Sequence, residues 1–266
     1  MPRPPLRDPA TRHLRFERTP MPVAAMAADY AHGTLIQSHR HRRAQLLYAT
    51  QGVMVVRSKA MRWVVPPTRG VWLVAGQEHE VWISGDLHMR TVFVEPGAAA
   101  HLPDQSCVLA VSPLLRELIL AAIEVPARWQ ADSRDGRLMQ LLLDELHVTP
   151  ILPLSLPLPR DRRLARICRR LLKAPDDERT VAQWAEPLGL TARTVHRLFA
   201  ADTGMTFGQW RQQARLLAGL AQLAQGEKVA HVALAAGYRS QSAFAAMFKR
   251  HFGIAPTAFF ETPSGG

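Results

Sequence analysis

Cysteine is scarce in this sequence: Cys107 and Cys168 are the two among 266 residues. They lie far apart and form no metal-type spacing, so neither a disulfide framework nor a cysteine-based zinc module is indicated. A reducing cytoplasm is therefore the expected compartment. Long apolar runs are also missing. None approaches the roughly 20 residues needed to cross a bilayer, and the opening stretch MPRPPLRDPATRHLRFERTP holds no apolar core of a signal peptide. No membrane partner is expected. The third shortage is of acid: 22 Asp and Glu stand against 33 Lys and Arg, for a net charge of +11. From residue 160 onward 16 basic residues face 8 acidic ones, whereas residues 1–149 carry 17 against 14. The excess base is concentrated late in the chain, which suits a polyanionic partner bound with counterion release.

Proline divides the chain. Four prolines fall within the eleven residues Thr149–Pro159, a density that neither a helix nor a central strand tolerates. The segment 149–159 reads as an extended Pro-rich linker between a domain at 1–148 and another at 160–266. Upstream the pattern is of short strands: 45–50, 53–57, 62–65, 70–74, 79–83 and 89–94, separated by Gln51-Gly52, Pro66-Pro67, Ala75-Gly76 and Ser84-Gly85. Many short strands with frequent turns predict a small antiparallel β-barrel, and Gln51-Gly52 is a hairpin-type turn signal. Two helices follow. Ser112-Pro113 supplies a cap and a first-turn proline for the first. Leu138, Leu141, Leu142 and Leu146 form one stripe of the second. The fold class expected is α+β, an N-terminal antiparallel barrel with following helices and a C-terminal all-α domain.

The C-terminal part repeats itself. Val181, Ala182, Ala185 and Gly189 recur 48 residues later as Val229, Ala230, Ala233 and Gly237; Thr191, Phe199 and Gly204 recur after 49 as Ser240, Phe248 and Gly253. Each copy has a short Ala-rich helix, a glycine suited to a left-handed turn, a Thr or Ser at an N-cap position, and a second helix. That second helix puts Val195, Leu198 and Phe199, or Phe244, Met247 and Phe248, on its apolar face. Its other face is polar: Arg193, Thr194, His196 and Arg197, then Gln241 and Ser242. A long helix from Phe207 to Ala224 would fix the spacing of the two units, as reading successive major grooves requires.

The stretches LGLTARTVHRLFAADTGMTFGQWRQQARL and VAHVALAAGYRSQSAFAAMFKRHFGIAPTAFF resemble the paired helix-turn-helix DNA-binding domain of the AraC/XylS family of transcription regulators. The resemblance covers about a hundred residues and includes the closing Gly-x-x-Pro at Gly253 to Pro256. It implies a ligand-responsive, sequence-specific regulator of double-stranded DNA, an activator or repressor. Base-reading positions carried over from it are Arg193, His196 and Arg197, then Gln241, Ser242 and Ala245, with Thr194 beside them and Lys249 and Arg250 facing phosphate. Arginine can pair bidentately with guanine and glutamine with adenine. The chain departs from the family by placing Ala245 and Ala246 late in the second recognition helix.

The strand-rich part resembles the cupin-type barrel common in that family, where a small-molecule or metal effector binds. Metal-binding cupins use His-x-His, a nearby carboxylate and a later Gly-x-x-His. Here His39 and His41, then His79, match, so a divalent ion is a candidate cofactor; Gln45 stands at the carboxylate position and Val74 replaces the usual proline. Two imidazoles at i and i+2 on a strand share one face. Arg40, Arg42 and Arg43 oppose a cation. Trp63, Trp72 and Trp82 are candidates to line an effector pocket, whereas His32, His88 and His101 show no evident partner. The family habit of pairing subunits through a helix after the barrel implies a homodimer. Two other readings stay open: an architectural DNA-binding protein with an inert dimerisation barrel, and a metal-dependent cupin enzyme fused to a DNA-binding module. The absence of an acid/base pair beside the histidines weighs against enzymatic function.

Overall fold

Short strands between Val23 and Ala110, joined by one at Ser155–Pro157, form two antiparallel sheets in a computed structural model that describes residues 14–67, 69–98, 101–146 and 154–259. The first sheet runs β1 (Val23–Tyr30), β8 (Leu87–Val94), β3 (Ala44–Ala49), β6 (Arg69–Leu73), β9 (Cys107–Ala110). The second runs β10 (Ser155–Pro157), β5 (Met61–Val65), β4 (Val53–Arg57), β7 (His79–Ser84), β2 (Leu35–His39). Strand β3 is buried along its whole length because both its faces are covered. Leu47 and Ala49 face the interior between the sheets. Ala44, Leu46 and Tyr48 lie on the other side, with Leu115, Leu118 and Ile119 of helix α2 (Pro113–Ala122) and Met139, Leu142 and Leu143 of helix α3 (Arg134–Glu145). Ser112 caps α2 through Leu115 N at 3.0 Å, and Leu142 and Leu146 are buried while Leu141 is exposed.

Gln51-Gly52 does not join a hairpin. Strands β3 and β4 belong to different sheets, and the turn carries the chain from one to the other. Gly52 has φ +80°, and a Cβ there would lie 2.6 Å from Asp86 O. The glycine thus serves a close crossing as well as a turn.

The part of the Pro-rich linker that lies within the described residues, 154–159, is extended and pairs as the edge strand of the second sheet. Ser155, Leu156 and Pro157 stand opposite Trp63, Arg62 and Met61, and Leu154 and Leu156 are fully buried. An edge is where a strand tolerates prolines, since their missing N–H faces no neighbour.

The remaining chain is helical: α4 (Arg162–Lys173), α5 (Val181–Ala185) continued by a 3-10 turn at Glu186–Leu188, α6 (Ala192–Thr203), α7 (Phe207–Leu223), α8 (Val229–Ala235) and α9 (Gln241–Phe252). Helix α7 docks on the edge strand. The Trp210 indole donates to Pro157 O at 2.7 Å, Gln213 donates to Ser155 O, and Gln225 just beyond α7 reaches Ser84 of β7. One continuous apolar core therefore runs from the second sheet through Leu154 and Leu156 into α4, α6, α7 and α9. Among the described residues no helix is long and apolar enough to cross a membrane.

Candidate nucleic-acid interface and histidine cluster

Both repeat units adopt the local structure that the repeat predicts. Gly189 and Gly237 take φ +65° and +76° in the inter-helix turns. Thr191 Oγ1 accepts from Thr194 N at 3.2 Å to cap α6, and Ser240 Oγ accepts from Ala243 N at 3.1 Å to cap α9. Such a cap is worth about 1 kcal/mol, and here it also fixes the orientation of a recognition helix. Val195 and Phe199 are buried on α6, Phe244 and Phe248 on α9. The Phe199 ring meets Trp210 of α7 edge-on at 5.7 Å. Gly219 of α7 lets the Phe244 ring of α9 approach so closely that a Cβ would lie 2.8 Å from it. Helix α7 is thus keyed to α6 and α9 at once.

The polar faces remain open. Arg193, His196 and Arg197 on α6 are exposed, as are Gln241, Ser242, Lys249 and Arg250 on α9; Thr194 and Ala245 are half-buried. No ion pair among the described residues engages Arg193, Arg197, Lys249 or Arg250. Thr194 and Ser242 differ from these, because their hydroxyls bond the cap residues Thr191 and Ser240, each at 2.9 Å. That local bond competes with any contact to DNA.

In the barrel, His39, His41 and His79 come together, one ring nitrogen from each lying within 4.8 Å of the others. His39 at the end of β2 stands directly opposite His79 at the start of β7. His41 is not on the same strand as His39, as the spacing suggested: β2 ends at His39 and His41 enters from the turn before β3. Its ring rests on Phe93, centroids 5.2 Å apart. Gln45 is the register partner of Phe93 on the interior face. Its amide donates to Thr91 Oγ1 at 3.0 Å while its Oε1 is buried without a hydrogen-bond partner.

Each imidazole is oriented through Nδ1. His39 Nδ1 lies 2.7 Å from Gln37 O, His79 Nδ1 2.9 Å from Gln77 O, and His41 Nδ1 3.2 Å from a Glu17 carboxylate oxygen. These acceptors can only receive a proton, so Nδ1 carries the hydrogen and Nε2 is the nitrogen through which a neutral ring would ligate. Burial pushes the His79 imidazole down to about 4, a carbonyl bond from Gln77 offsetting this in part and His39 adding to it. The ring is neutral at neutral pH, the form in which histidine binds metal, and its buried Nε2 has no hydrogen-bond partner. An all-nitrogen neutral donor set suits zinc, nickel or copper rather than magnesium or calcium. The residues present fit such an ion.

Glu17 of the short helix α1 (Leu14–Glu17) gave no signal in the sequence, 24 residues from the histidine it orients. It restores near the cluster a carboxylate that Gln45 does not provide, as an outer-shell partner of the ring. Arg43 is buried and its guanidinium is engaged by backbone, donating to the carbonyls of Glu17, Thr19 and Met21. The tryptophans do not share a pocket. Trp63 faces the core common to both domains, Trp72 lies under α2 and α3 with its indole on Pro103 O, and Trp82 is 47% exposed. His32 and His101 do have partners: Gly85 N donates to His32, and His101 lies 2.6 Å from Leu146 O.

The family model described as an AraC-like ligand binding domain matches residues 23–193, and one described as a helix-turn-helix domain matches 184–262. The chain belongs to the AraC family. The HTH-type transcriptional regulator NimR of Escherichia coli K12 is 35% identical over 218 residues, 82% of this chain and 80% of its own. RipA of Corynebacterium glutamicum, also named an HTH-type transcriptional regulator, is 32% identical over 103 residues, 39% of this chain and 31% of its own. Among solved structures, ToxT from Vibrio cholerae aligns over 92% of this chain and 100% of its own at 10% identity, with a TM-score of 0.39, too low to bear on function. As an AraC-family member, this protein is a transcription regulator that joins a ligand-binding domain to a helix-turn-helix DNA-binding domain.

Proposed function

We propose that this regulator reads two successive major grooves with α6 and α9, and that its effector is a divalent transition-metal ion held by His39, His41 and His79. Arg193, His196 and Arg197 read bases in the first groove and Gln241 in the second, with Ser242 and Ala245 against the base edges and Lys249 and Arg250 on phosphate. Residues 1–148 sense and 160–266 bind DNA, with 149–159 between them. The observation that carries the metal reading is the convergence of three imidazoles whose Nδ1 atoms are all engaged by acceptors. Held by His39, His41 and His79, such an ion would supply a Lewis-acid cross-link between them. An ion held by His39, His41 and His79 would tie β2, β7 and the turn at His41 to one another. Strand β7 belongs to the sheet whose edge strand carries α7, which would give that cross-link a route to α6 and α9.

Two further readings complete the proposal. Copies pair through α2 and α3, where Leu114 and Leu141 are exposed apolar residues, and the protein acts in the cytoplasm without enzymatic activity. Sedimentation of the full chain, beside Leu141→Glu, tests the pairing.

The metal reading is tested by calorimetric titration of the full chain with zinc and nickel, beside His39→Ala and His79→Ala. Gel shifts on DNA flanking the gene follow, with and without metal, near 150 mM salt. One ion per chain in wild type, none in either variant, and a metal-dependent DNA affinity only in wild type are expected. Equal metal uptake by the variants contradicts the reading. DNA affinity indifferent to metal that does bind favours a barrel whose metal is architectural.

A further inference from the structure

A pocket of about 510 Å³ opens within the helical part, between the two helix-turn-helix units. It is lined by Arg211, Gln212 and Arg215 of α7, by Tyr238 and Arg239 of the turn between α8 and α9, and by Glu178 ahead of α5. No residue of the imidazole cluster or of either sheet lines it. Two of its arginines are built into the fold. Arg215 donates from Nε to Pro175 O at 2.7 Å. Its guanidinium lies so close to Gly237 that a Cβ there would stand 2.7 Å from Nη2. The glycine of the second inter-helix turn therefore also admits this side chain. Arg211 donates to Arg179 O at 2.9 Å and to Asp177 O, while its buried Nε has no hydrogen-bond partner.

The charges do not balance. Burial lowers the Arg211 pKa and the neighbouring Arg215 lowers it further, with Asp177 and Glu178 offsetting this in part. The two guanidinium groups thus repel each other. The Asp177 carboxylate is already engaged by Arg179. Arg211, Arg215 and Arg239 have no ion-pair partner among the described residues, and the pocket holds one carboxylate, Glu178. Like charges gathered in a concavity focus field on whatever enters it. A neutral donor stands with them. The Tyr238 ring packs on Phe244 at 5.4 Å, and its buried hydroxyl has no hydrogen-bond partner.

We propose that this pocket is an oxyanion site for a phosphoryl group, held by Arg215, Arg239 and the Tyr238 hydroxyl. Phosphoryl oxygens accept from guanidinium and hydroxyl donors alike, and the charge-assisted bonds are the stronger kind. The group comes from a diester of the DNA backbone or from a free phosphate compound. Either source completes a charge arrangement that the protein alone leaves repulsive. Arg239 directly precedes Ser240, the cap of α9, and Arg215 belongs to α7. An occupant therefore ties the second recognition helix to the helix that spaces both units. The site goes beyond the base-reading and metal assignments and requires neither.

Two arms on the full chain separate the sources, each comparing wild type with Arg239→Ala and Tyr238→Phe. The second variant keeps the ring on Phe244 and removes the hydroxyl alone. Arg166→Ala removes an equal charge from an exposed position on α4 that does not line the pocket. Thermal melts confirm that each variant is folded. The first arm follows binding to DNA flanking the gene by fluorescence anisotropy, from about 75 to 300 mM salt. A backbone phosphate in the pocket predicts a loss of about three-fold or more in both variants. In Arg239→Ala the slope of log affinity against log salt should be shallower by about one. Sequence preference should be unchanged, which sets these variants apart from Arg193→Ala, Arg197→Ala. The second arm titrates the chain with inorganic pyrophosphate by calorimetry at fixed ionic strength. A free phosphate source predicts one equivalent bound by wild type, and binding weaker by about three-fold or more in both variants. The proposal stands if both variants lose in the same arm while Arg166→Ala matches wild type there. Any other pattern overturns it.

Discussion

Replacing Gly219 by alanine tests how α7 is keyed to the second recognition helix. In the middle of α7 the added methyl should help by helix propensity, about 1 kcal/mol relative to glycine. Its surroundings oppose this. The Cβ would stand 2.8 and 2.9 Å from two carbons of the Phe244 ring and 3.1 Å from a methyl of Val232, against the roughly 3.5–4.0 Å of a relaxed carbon contact. The ring has little room to retreat, being fully buried between Tyr238 at 5.4 Å and Phe248 at 5.6 Å. Overpacking of this kind costs about 1–3 kcal/mol, so the net effect is a destabilisation of about 1 kcal/mol. Thermal unfolding of the full chain should drop by about 2–4 °C. Because the strain is relieved by moving α9 away from α7, binding to a two-groove operator should weaken more than binding to DNA carrying only the first half-site. A melting temperature raised by the substitution, with both DNA affinities unchanged, would refute the close packing of α7 on α9.

Gly136→Ala should cost about 2 kcal/mol, because the Cβ would lie 2.3 and 2.4 Å from the backbone oxygens of Gln130 and Ala131, which cannot rotate away; urea unfolding that shows no loss contradicts the geometry of the α3 start. Asp161→Ala should cost about 1 kcal/mol at pH 7 by removing the α4 cap. Hydrogen bonding to Arg163 holds the Asp161 carboxyl down at about 2, so this charge-dependent contribution is complete above the ordinary carboxylate pKa of about 4 and fades as pH falls through 2. The difference between wild type and variant should shrink between pH 5 and 2.5, and a constant difference would contradict the assignment. Trp210→Phe removes the indole bond to Pro157 O and should cost about 2 kcal/mol. Protease cleavage within 150–160 should accelerate, and an unchanged cleavage rate would show that α7 is not what holds that strand.

The helical half was legible because its signals are local. Gly189 with Thr191, and Gly237 with Ser240, announce a turn and a cap at fixed offsets, and both pairs adopt those conformations. The barrel was legible from β3 to β8, where short apolar runs are set off by turn signals. Strand β1, VAAMAADY, is half alanine and carries little strand preference of its own; pairing with β8 along its whole length makes it a strand. Gln51-Gly52 was recognisable as a turn, but which strands a turn joins depends on sheet membership, a long-range property. The same holds for the tryptophans, whose surroundings are decided by register and not by spacing. His39, His41 and His79 were found from motif spacing, whereas Glu17 was not, since its approach to His41 comes from the path of the N-terminal segment around Arg43. The described part of the Pro-rich segment, 154–159, is extended as expected; that Leu154 and Leu156 seal the joint between domains required seeing β5 and α7 beside it.

The central claim is that α6 and α9 read bases, and it is tested most directly by operator binding of an Arg193→Ala, Arg197→Ala double variant at about 150 mM salt. A bidentate arginine–guanine contact is worth about 1–3 kcal/mol of discrimination. The account therefore predicts a loss of about thirty-fold or more on the specific site, with weak sequence-independent binding largely retained. Wild-type affinity and wild-type sequence preference in the double variant would contradict it.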